Sequence, residues 1–252
     1  MRESPAARLG YPRVHLRSTD STNDRARELA LAGAPHGTLV TASEQSAGRG
    51  RQGRRWSAPA GSALLMSLLL RPPPRLLALM AAIAVAEVAG KNALIKWPND
   101  VVVPLEGGGE TGLAKLAGLL MEGRPQEGWA VLGIGINVAV HLQDLPPELR
   151  PGAEASTPSG LPAATLGGEP GDVEPTLMRL LDALQRSLAL SPEETRESWG
   201  RRDALRGREV SWSSGSGTAQ GIDGDGRLVV ALDGGGQTAI GSGEVHLERI
   251  GR

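Results

Sequence analysis

The sequence predicts an α+β fold in which helices cover a mostly antiparallel sheet, followed by a small C-terminal β-barrel. Three observations predict it. Helix-forming and strand-forming segments alternate at first, further strand-forming segments then follow one another through a hairpin loop, and after Leu205 only short strands and glycine turns remain. A chain of 252 residues is long enough for one to two domains. We therefore expect a main domain over residues 1–204 and a barrel over residues 205–252.

The N-terminal half is expected to alternate between helices and strands. Residues 23–32 favour a helix that begins at Ser21 or Thr22, because small hydroxyl residues cap helix N-termini, and that ends at Gly33. The elements that follow are a strand over 37–45, a buried strand over 62–70, an apolar helix over 75–89 and a strand over 93–97.

The second half begins with hairpin strands and then changes character twice. Asn99 and Asp100 predict a turn, and strands are expected over 101–103, 113–123 and 129–140, with 106–112 as a hairpin loop. A long irregular connection over 142–173 leads to helices near 174–190 and 192–203. The barrel strands are expected within 207–212, 217–223, 226–232, 236–241 and 243–250.

Composition excludes several classes of protein. The absence of cysteine excludes a thiol nucleophile, thiolate-bound zinc and disulfides, and the four histidines are scattered without metal-binding spacing. No secretory signal or membrane-spanning run is visible, so we expect a cytoplasmic protein without a membrane partner. A net charge of −1 argues against a nucleic-acid partner.

Residues 46–56, SAGRGRQGRRW, combine three glycines with four arginines and end in a tryptophan. The glycines fit the dinucleotide pattern G-x-G-x-x-G. The proline and glycines that follow oppose a helix, however, and no acid lies about twenty residues further on, which excludes dinucleotide binding. Arginine offers a planar fork for phosphate or carboxylate, and glycine lets backbone N–H groups approach an anion. We expect a clamp for a polyanion that is mobile when empty and ordered when the ligand is bound.

Five motifs taken together resemble the biotin–protein ligase family. They are DSTN at Asp20–Asn23, EQSAGRGRQGRRW at Glu44–Trp56, KWPND at Lys96–Asp100, KLAG at Lys115–Gly118 and GIGIN at Gly133–Asn137. The resemblance spans residues 15–252 and implies a catalytic domain related to class II aminoacyl-tRNA synthetases and lipoate ligases, followed by an SH3-like barrel. Because DSTN begins at residue 20, leaving no room for a helix-turn-helix, the resemblance is to the monofunctional type without a DNA-binding domain.

The resemblance implies an acyl-adenylate mechanism in two steps. Biotin and ATP with Mg²⁺ would give biotinyl-5′-AMP and pyrophosphate. A lysine of a biotin carboxyl carrier domain, from acetyl-CoA carboxylase or a related carboxylase, would then displace AMP. Such chemistry needs positioned reactants and neutralised phosphate charge rather than a protein nucleophile. Members of the family differ in oligomeric state, which leaves a homodimer open.

The resemblance also implies a role for each matching residue. Lys115 is expected to bridge the biotin carboxylate and the α-phosphate, since a lysine in an apolar strand is costly to bury unless it faces an anion. Arg51 and Asp100 complete the expected catalytic set. The expected biotin-binding residues are Ser21, Thr22, Gln45, Arg49, Arg51, Lys115, Gly118, Gly133 and Gly135, and the expected ATP-binding residues are Arg49, Arg51, Arg54, Trp56, Lys96, Lys115 and Asn137.

Several of these assignments keep an alternative. Ser21 and Thr22 either hydrogen-bond the biotin ring or only cap the helix. Asp100 either binds magnesium, orients the incoming lysine amine or only forms a turn. Trp56 is expected as a stacking wall over adenine or the biotin tail, with a core residue as the alternative. Asn137 is expected to recognise the adenine edge.

Two other functions fit parts of the sequence. Lipoate or octanoate ligation on the same fold would activate another acid, although the Gly-Arg loop favours biotin. A nucleic-acid-binding module could use the same loop, but it predicts interleaved aromatic residues and a basic surplus, and neither is present. Gln52 stands where the family commonly carries arginine, which removes one charge from the loop.

Overall fold

The computed structural model describes residues 8–105, 111–151, 161–241, 243 and 245–247. Within these ranges the first sheet has seven strands in the order β1-β2-β3-β7-β6-β5-β4. The strands are β1 Arg13–Leu16, β2 Leu39–Ala42, β3 Ala63–Leu70, β4 Leu94–Lys96, β5 Asp100–Pro104, β6 Leu113–Arg124 and β7 Trp129–Asn137. Strands β1 and β2 run parallel, and every other neighbouring pair is antiparallel, as the sequence predicts.

Helices cover both faces of this sheet. The α-helices of the described residues are α1 Thr22–Leu31, α2 Leu77–Ala89, α3 Val173–Ser187 and α4 Pro192–Gly200. Helix α2 is apolar almost throughout and packs with α3 on the face that carries Leu68 and Leu132. Helix α1 packs on the opposite face, against Leu69 and Val131. Strand β3 is therefore buried along its whole length, which explains its uninterrupted apolar sequence.

A second, smaller antiparallel sheet follows the helices. Its order is β11-β10-β9-β8-β12, with β8 Glu209–Trp212, β9 Gly215–Ile222, β10 Leu228–Ala231, β11 Gln237–Ile240 and β12 His246–Leu247. Its buried residues, among them Val210 and Leu228, belong to the same core cluster as helix α2. The indole N–H of Trp97 also donates to the carbonyl of Gly226 at 3.1 Å. The two parts pack as neighbours, and the boundary between residues 204 and 205 stays a prediction.

Two local predictions need correction. Strand β1 was not expected, because its four residues are mostly exposed and lack an apolar run; it joins the sheet through parallel pairing with β2. Asp100 opens strand β5 opposite Lys96 instead of forming the turn, which lies at residues 97–99.

The connection over 142–173 is irregular where it is described and contains short 3₁₀ turns at Leu142–Asp144, Pro147–Leu149 and Pro170–Asp172. Residues 106–110 and 152–160 of the predicted loops, and the end of the last predicted strand, lie outside the described residues.

In the part of the chain that the structure describes, no helix is both long and apolar enough to cross a membrane.

Asp203 follows helix α4, and its buried carboxylate lowers the stability of the folded protein in a pH-dependent way. It forms an isolated bridge with Ile95, and its Oδ1 accepts from the backbone N–H of Leu205 at 2.8 Å. Its Oδ2 is buried and has no geometric hydrogen-bond partner among the described residues, and burial raises the pKa of Asp203 against smaller opposing effects of the Leu205 and Arg206 backbone and the Arg206 charge. A raised folded-state pKa means that the ionised carboxylate opposes folding at neutral pH and that this cost vanishes below the unfolded-state pKa.

We therefore expect Asp203→Asn to be more stable than the parent protein at pH 7, with the difference shrinking as the pH falls towards about 4, where an unfolded aspartate titrates. The amide oxygen can retain the bond to Leu205, while the substitution removes the charge and turns the other oxygen into an NH₂ group. Urea unfolding at several pH values measures the effect. Asp182→Asn, the same change at an exposed position of α3, is the control for the substitution itself. A less stable Asp203→Asn at pH 7 would contradict the argument.

Candidate active site

A cavity of about 690 Å³ opens on the face of the sheet that also carries helix α1, a size typical of small-molecule sites. Its walls come from the N-terminus of α1, residues 45–57, the glycines of β6 and β7, and the segments around Leu149 and Ala163. All predicted site residues except Lys96 line it: Ser21, Thr22, Gln45, Arg49, Arg51, Arg54, Trp56, Asp100, Lys115, Gly118, Gly133, Gly135 and Asn137. The sequence motifs therefore converge on one site.

The cavity is strongly cationic. Among the described residues, five cationic side chains line it, Arg49, Arg51, Arg54, Arg55 and Lys115, against two acidic ones, Asp100 and Glu148. Nucleotide phosphates and a carboxylate are ligands that such a wall attracts. Gln52, where the family commonly has arginine, is exposed in the left-handed region at φ 55° and does not line the cavity. Glutamine in place of arginine at residue 52 therefore removes a positive charge from the exposed surface of the loop and leaves the charge of the cavity lining unchanged.

Lys115 and Asp100 form an ion pair at the cavity wall. Nζ of Lys115 lies 2.8 Å from Oδ1 of Asp100, which is buried and does not meet hydrogen-bond geometry with any described group. The ammonium also lies 5.8 Å from the ring centroid of Trp56, within cation–π range. Asp100 thus serves as the counter-ion of Lys115 in this structure, which a turn residue would not do. A ligand anion that contacts Lys115 would share it with this carboxylate.

Trp56 packs over two glycines of the sheet. A Cβ added to Gly135 would lie 2.6 Å from Cε2 of the indole, and one added to Gly118 would lie 3.0 Å from Cζ3. These glycines were expected to give a ligand close access to the backbone, whereas here they make room for the ring. The indole Nε1 is buried and has no hydrogen-bond partner among the described residues. Trp56 lines the cavity and also packs with Ala63 and Leu65, and its expected stacking on adenine or the biotin tail stays a prediction.

A chain of polar contacts surrounds the N-terminus of α1. The backbone N–H and the hydroxyl of Thr22 donate to Oε1 of Gln45, at 2.7 and 3.0 Å. The hydroxyl of Ser67 lies within hydrogen-bond distance of both Thr22 Oγ1 and Asn23 Oδ1. Ser21 occupies the N-cap position, but its side chain makes no cap hydrogen bond. Gln45 therefore faces Thr22 as expected, and helix capping alone does not account for Ser21.

Several predicted ligand contacts are engaged within the protein, among them Lys96, Asn137 and Gly133. Lys96 is buried, donates to the carbonyl of Val245 at 2.7 Å and does not line the cavity, and its expected phosphate contact stays a prediction. Nδ2 of Asn137 donates to the carbonyl of Ala164 at 2.8 Å, so this donor holds the segment after residue 160 instead of facing adenine. The space over Gly133 is filled by Asn23 rather than left for a ligand.

The arginine loop is a short hairpin in this structure. Arg49 pairs with Arg55, and backbone bonds join Gly50 to Arg54 at 2.7 Å and Trp56 to Gly48 at 2.9 Å. The N–H of Gly50 and the N–H of Trp56 are the donors. This closure turns the loop's side chains towards the cavity, where four of its arginines contribute to the lining. The expected mobility of the empty loop stays a prediction.

The sequence missed residues that support the site. Asn23 belongs to a quoted motif without a role, Ser67 is the polar residue of an apolar strand, and Glu122 is the acid of strand β6. Glu148 lines the cavity from the irregular connection. A polar side chain inside an otherwise apolar strand is the signal that could have found Ser67 and Glu122.

Comparison with known proteins agrees with this geometry. Residues 15–139 match the family model of the biotin/lipoate A/B protein ligase family, and residues 207–247 match that of the biotin protein ligase C-terminal domain. The biotin--[acetyl-CoA-carboxylase] ligase of Paracoccus denitrificans is 35% identical over 85% of this chain and 92% of its own length. A crystal structure of biotin protein ligase from Aquifex aeolicus in complex with biotin and ATP aligns with a TM-score of 0.72 and 27% identity, covering 94% of this chain and 98% of that one.

The bifunctional ligase/repressor BirA of Bacillus subtilis is 42% identical over 56% of this chain, and the aligned part spans 45% of that protein. The fold and these matches therefore place the chain among proteins of the biotin/lipoate ligase class. Because the C-terminal sheet also matches the C-terminal domain of biotin protein ligases, the chain belongs to the biotin protein ligase family. The α+β fold and the family expected from the five motifs are confirmed.

Proposed function

We propose that this protein activates biotin with ATP to biotinyl-5′-AMP and transfers the biotinyl group to a lysine of a biotin carboxyl carrier domain. The observation that carries the proposal is the convergence of Lys115 and four arginines on one cavity whose wall also holds the Thr22–Gln45 hydrogen-bonded pair. Cations suit the carboxylate and phosphates of the reactants, and the polar pair suits the cyclic urea of biotin.

In the first step, a carboxylate oxygen of biotin attacks the α-phosphorus of ATP, and the bond to the β-phosphate oxygen breaks to release pyrophosphate. Both reactants are anions, so their approach requires cations that offset the repulsion. Lys115 would hold the carboxylate beside the α-phosphate, while Arg51 and Arg54 would contact the remaining phosphate oxygens. Asp100 keeps the ammonium of Lys115 directed along the cavity wall through their 2.8 Å contact.

In the second step, the amine of the carrier lysine attacks the acyl carbonyl and AMP leaves. A free lysine amine has a pKa of about 10.4 and must lose its proton before it attacks. Asp100 lines the cavity beside Lys115, and its carboxylate would accept a hydrogen bond from the incoming amine and take up the proton that the amine loses. Lys115 would then offset the charge that develops on the leaving phosphate.

Magnesium would enter this site together with ATP. The described residues contain no group of three metal-binding side chains, and Asp100 is already paired with Lys115. Mg²⁺ usually binds nucleotide phosphates with only one or two protein carboxylates, so this donor set fits a nucleotide-borne ion and does not form a protein cage. When bound, the ion would neutralise phosphate charge during adenylate formation.

Biotin-dependent exchange of labelled pyrophosphate into ATP tests the first step. We expect exchange with biotin and none with lipoate or octanoate, the acids of the related ligases. Exchange only with lipoate or octanoate, or with no acid at all, would contradict the proposal. Transfer is tested by incorporating labelled biotin into an isolated carrier domain, with a carrier whose acceptor lysine is replaced by arginine as the control.

A further inference from the structure

Arg49, the first arginine of the loop over residues 46–56, is held by acidic residues of the protein. Its Nη2 lies 2.5 Å from both carboxylate oxygens of Glu122 and 3.3 Å from Oδ1 of Asp24. Glu122 lies on strand β6 and Asp24 on helix α1, so the two acids hold Arg49 from different elements. Glu122 also accepts a hydrogen bond at 2.8 Å from Nδ2 of Asn23, which lies on α1 next to Asp24.

Glu122 has no role in the chemistry proposed above. It does not line the cavity, and an acid beside a polyanion site weakens anion binding unless it serves another purpose. The side-chain contacts of Glu122 indicate what this other purpose is. Through Asn23, Ser67 and Thr22 it connects Arg49 to Gln45, the residue that precedes the loop. Both ends of the segment from Gln45 to Arg49 are thus fixed to the body of the protein.

We propose that Glu122 is a positioning residue that docks the first arm of the loop through Arg49. With this arm fixed, Arg51, Arg54 and Trp56 on the second arm are presented to the cavity. Arg49 acts in this arrangement as the anchor of the loop, and not as a phosphate contact. This inference rests on the proposed function for its effect on ligand binding, whereas the docking itself is a property of the free protein.

The docking predicts a particular pattern of effects. The pair is about one third exposed, with side-chain exposures of 36% and 27%, so water weakens it and the effect should be moderate. Loss of docking frees the loop before ligand arrives and adds an ordering cost to binding, which raises KM. Once ligand saturates the site, the loop is ordered again, so kcat should change little.

The test compares Glu122→Gln, Arg49→Gln and the double variant. The readouts are trypsin cleavage after Arg54 and Arg55 in the free protein, KM and kcat for biotin and ATP in pyrophosphate exchange, and the thermal midpoint. We expect each single variant to raise loop cleavage and KM by roughly threefold to tenfold, and the double variant to add nothing further, because all three lose the same pair. The thermal midpoint should stay unchanged.

Glu127→Gln is the matched control, since Glu127 forms an exposed ion pair with Arg124 at 2.8 Å near the same strand end. It should behave as the parent protein in every readout.

Effects that multiply in the double variant, or a Glu122→Gln variant that only unfolds earlier, would overturn the proposal. If the parent protein shows no exchange with biotin while Glu122 and Arg49 remain coupled in loop cleavage, the proposed function fails and the docking stands. Glu122→Asp, which keeps the charge, replaces Glu122→Gln if that variant does not fold.

Discussion

Replacing Lys115 by alanine is expected to lower the rate of adenylate formation by roughly 100- to 1,000-fold, the loss typical of removing one preorganised charge-stabilising group. Lys115 provides the ammonium that lies at the cavity wall between Asp100 and the ring of Trp56. Without it the two reacting anions meet beside an unpaired carboxylate, which adds repulsion to the lost attraction. Both steps should therefore slow, because the same ammonium offsets charge on the leaving AMP.

The fold should survive this change. The side chain of Lys115 is 22% exposed, and alanine fits a strand whose neighbours Leu116 and Ala117 are packed on the core. Circular dichroism checks the fold, and single-turnover formation of biotinyl-AMP measures the chemistry. Lys91→Ala, the same change at an exposed lysine outside the cavity, is the control and should leave the rate unchanged. A Lys115→Ala variant with the parent rate would mean that the carboxylate site lies elsewhere.

Much of the main sheet could be predicted because its strands are buried on both faces or bounded by strong turn signals. Residues 62–70 predicted β3 to within one residue, since an apolar run closed by prolines has few alternatives. Strand β1 could not be found in this way. It is short and largely exposed, and only pairing with β2 defines it, which is information that a local pattern does not carry.

For the candidate site, too, the sequence predicted local features and missed those that depend on long-range packing. The motifs identified residues that converge on the cavity because each motif is local in sequence. What they could not supply is the partner of each side chain, which depends on long-range packing. Lys96, expected at phosphate, donates to the carbonyl of Val245, 149 residues further along the chain and next to strand β12. Arg49 was likewise expected on a ligand, whereas Glu122 of strand β6 holds it.

The second large effect is expected from the smallest substitution, Gly133→Ala. A Cβ at this position would lie 2.2 Å from Oδ1, 2.9 Å from Cγ and 3.0 Å from Nδ2 of Asn23. Asn23 cannot yield easily, because it is buried and fixed by Ser67 on one side and by Glu122 on the other. Overpacking of this kind costs about 1–3 kcal/mol of folding free energy.

The damage should also reach ligand binding. If Asn23 is pushed away, the N-terminus of α1 shifts with it, and Thr22 loses its alignment with Gln45, so KM for biotin should rise along with the loss of stability. Urea unfolding and pyrophosphate exchange measure the two effects. Gly171→Ala is the matched control, because a Cβ there meets nothing within 4 Å and its φ is not in the left-handed region.

A second substitution separates the steric conflict at residue 133 from the hydrogen bonds that Asn23 makes. Adding Asn23→Ala to Gly133→Ala removes the steric conflict and should restore part of the stability, but it also removes the hydrogen bonds to Ser67 and Glu122. KM for biotin should therefore stay high in the double variant while the free energy of unfolding recovers. If Gly133→Ala matched Gly171→Ala in both measurements, Asn23 would have an alternative position that leaves the site intact, and the polar chain from Gln45 to Glu122 would not be needed to hold it.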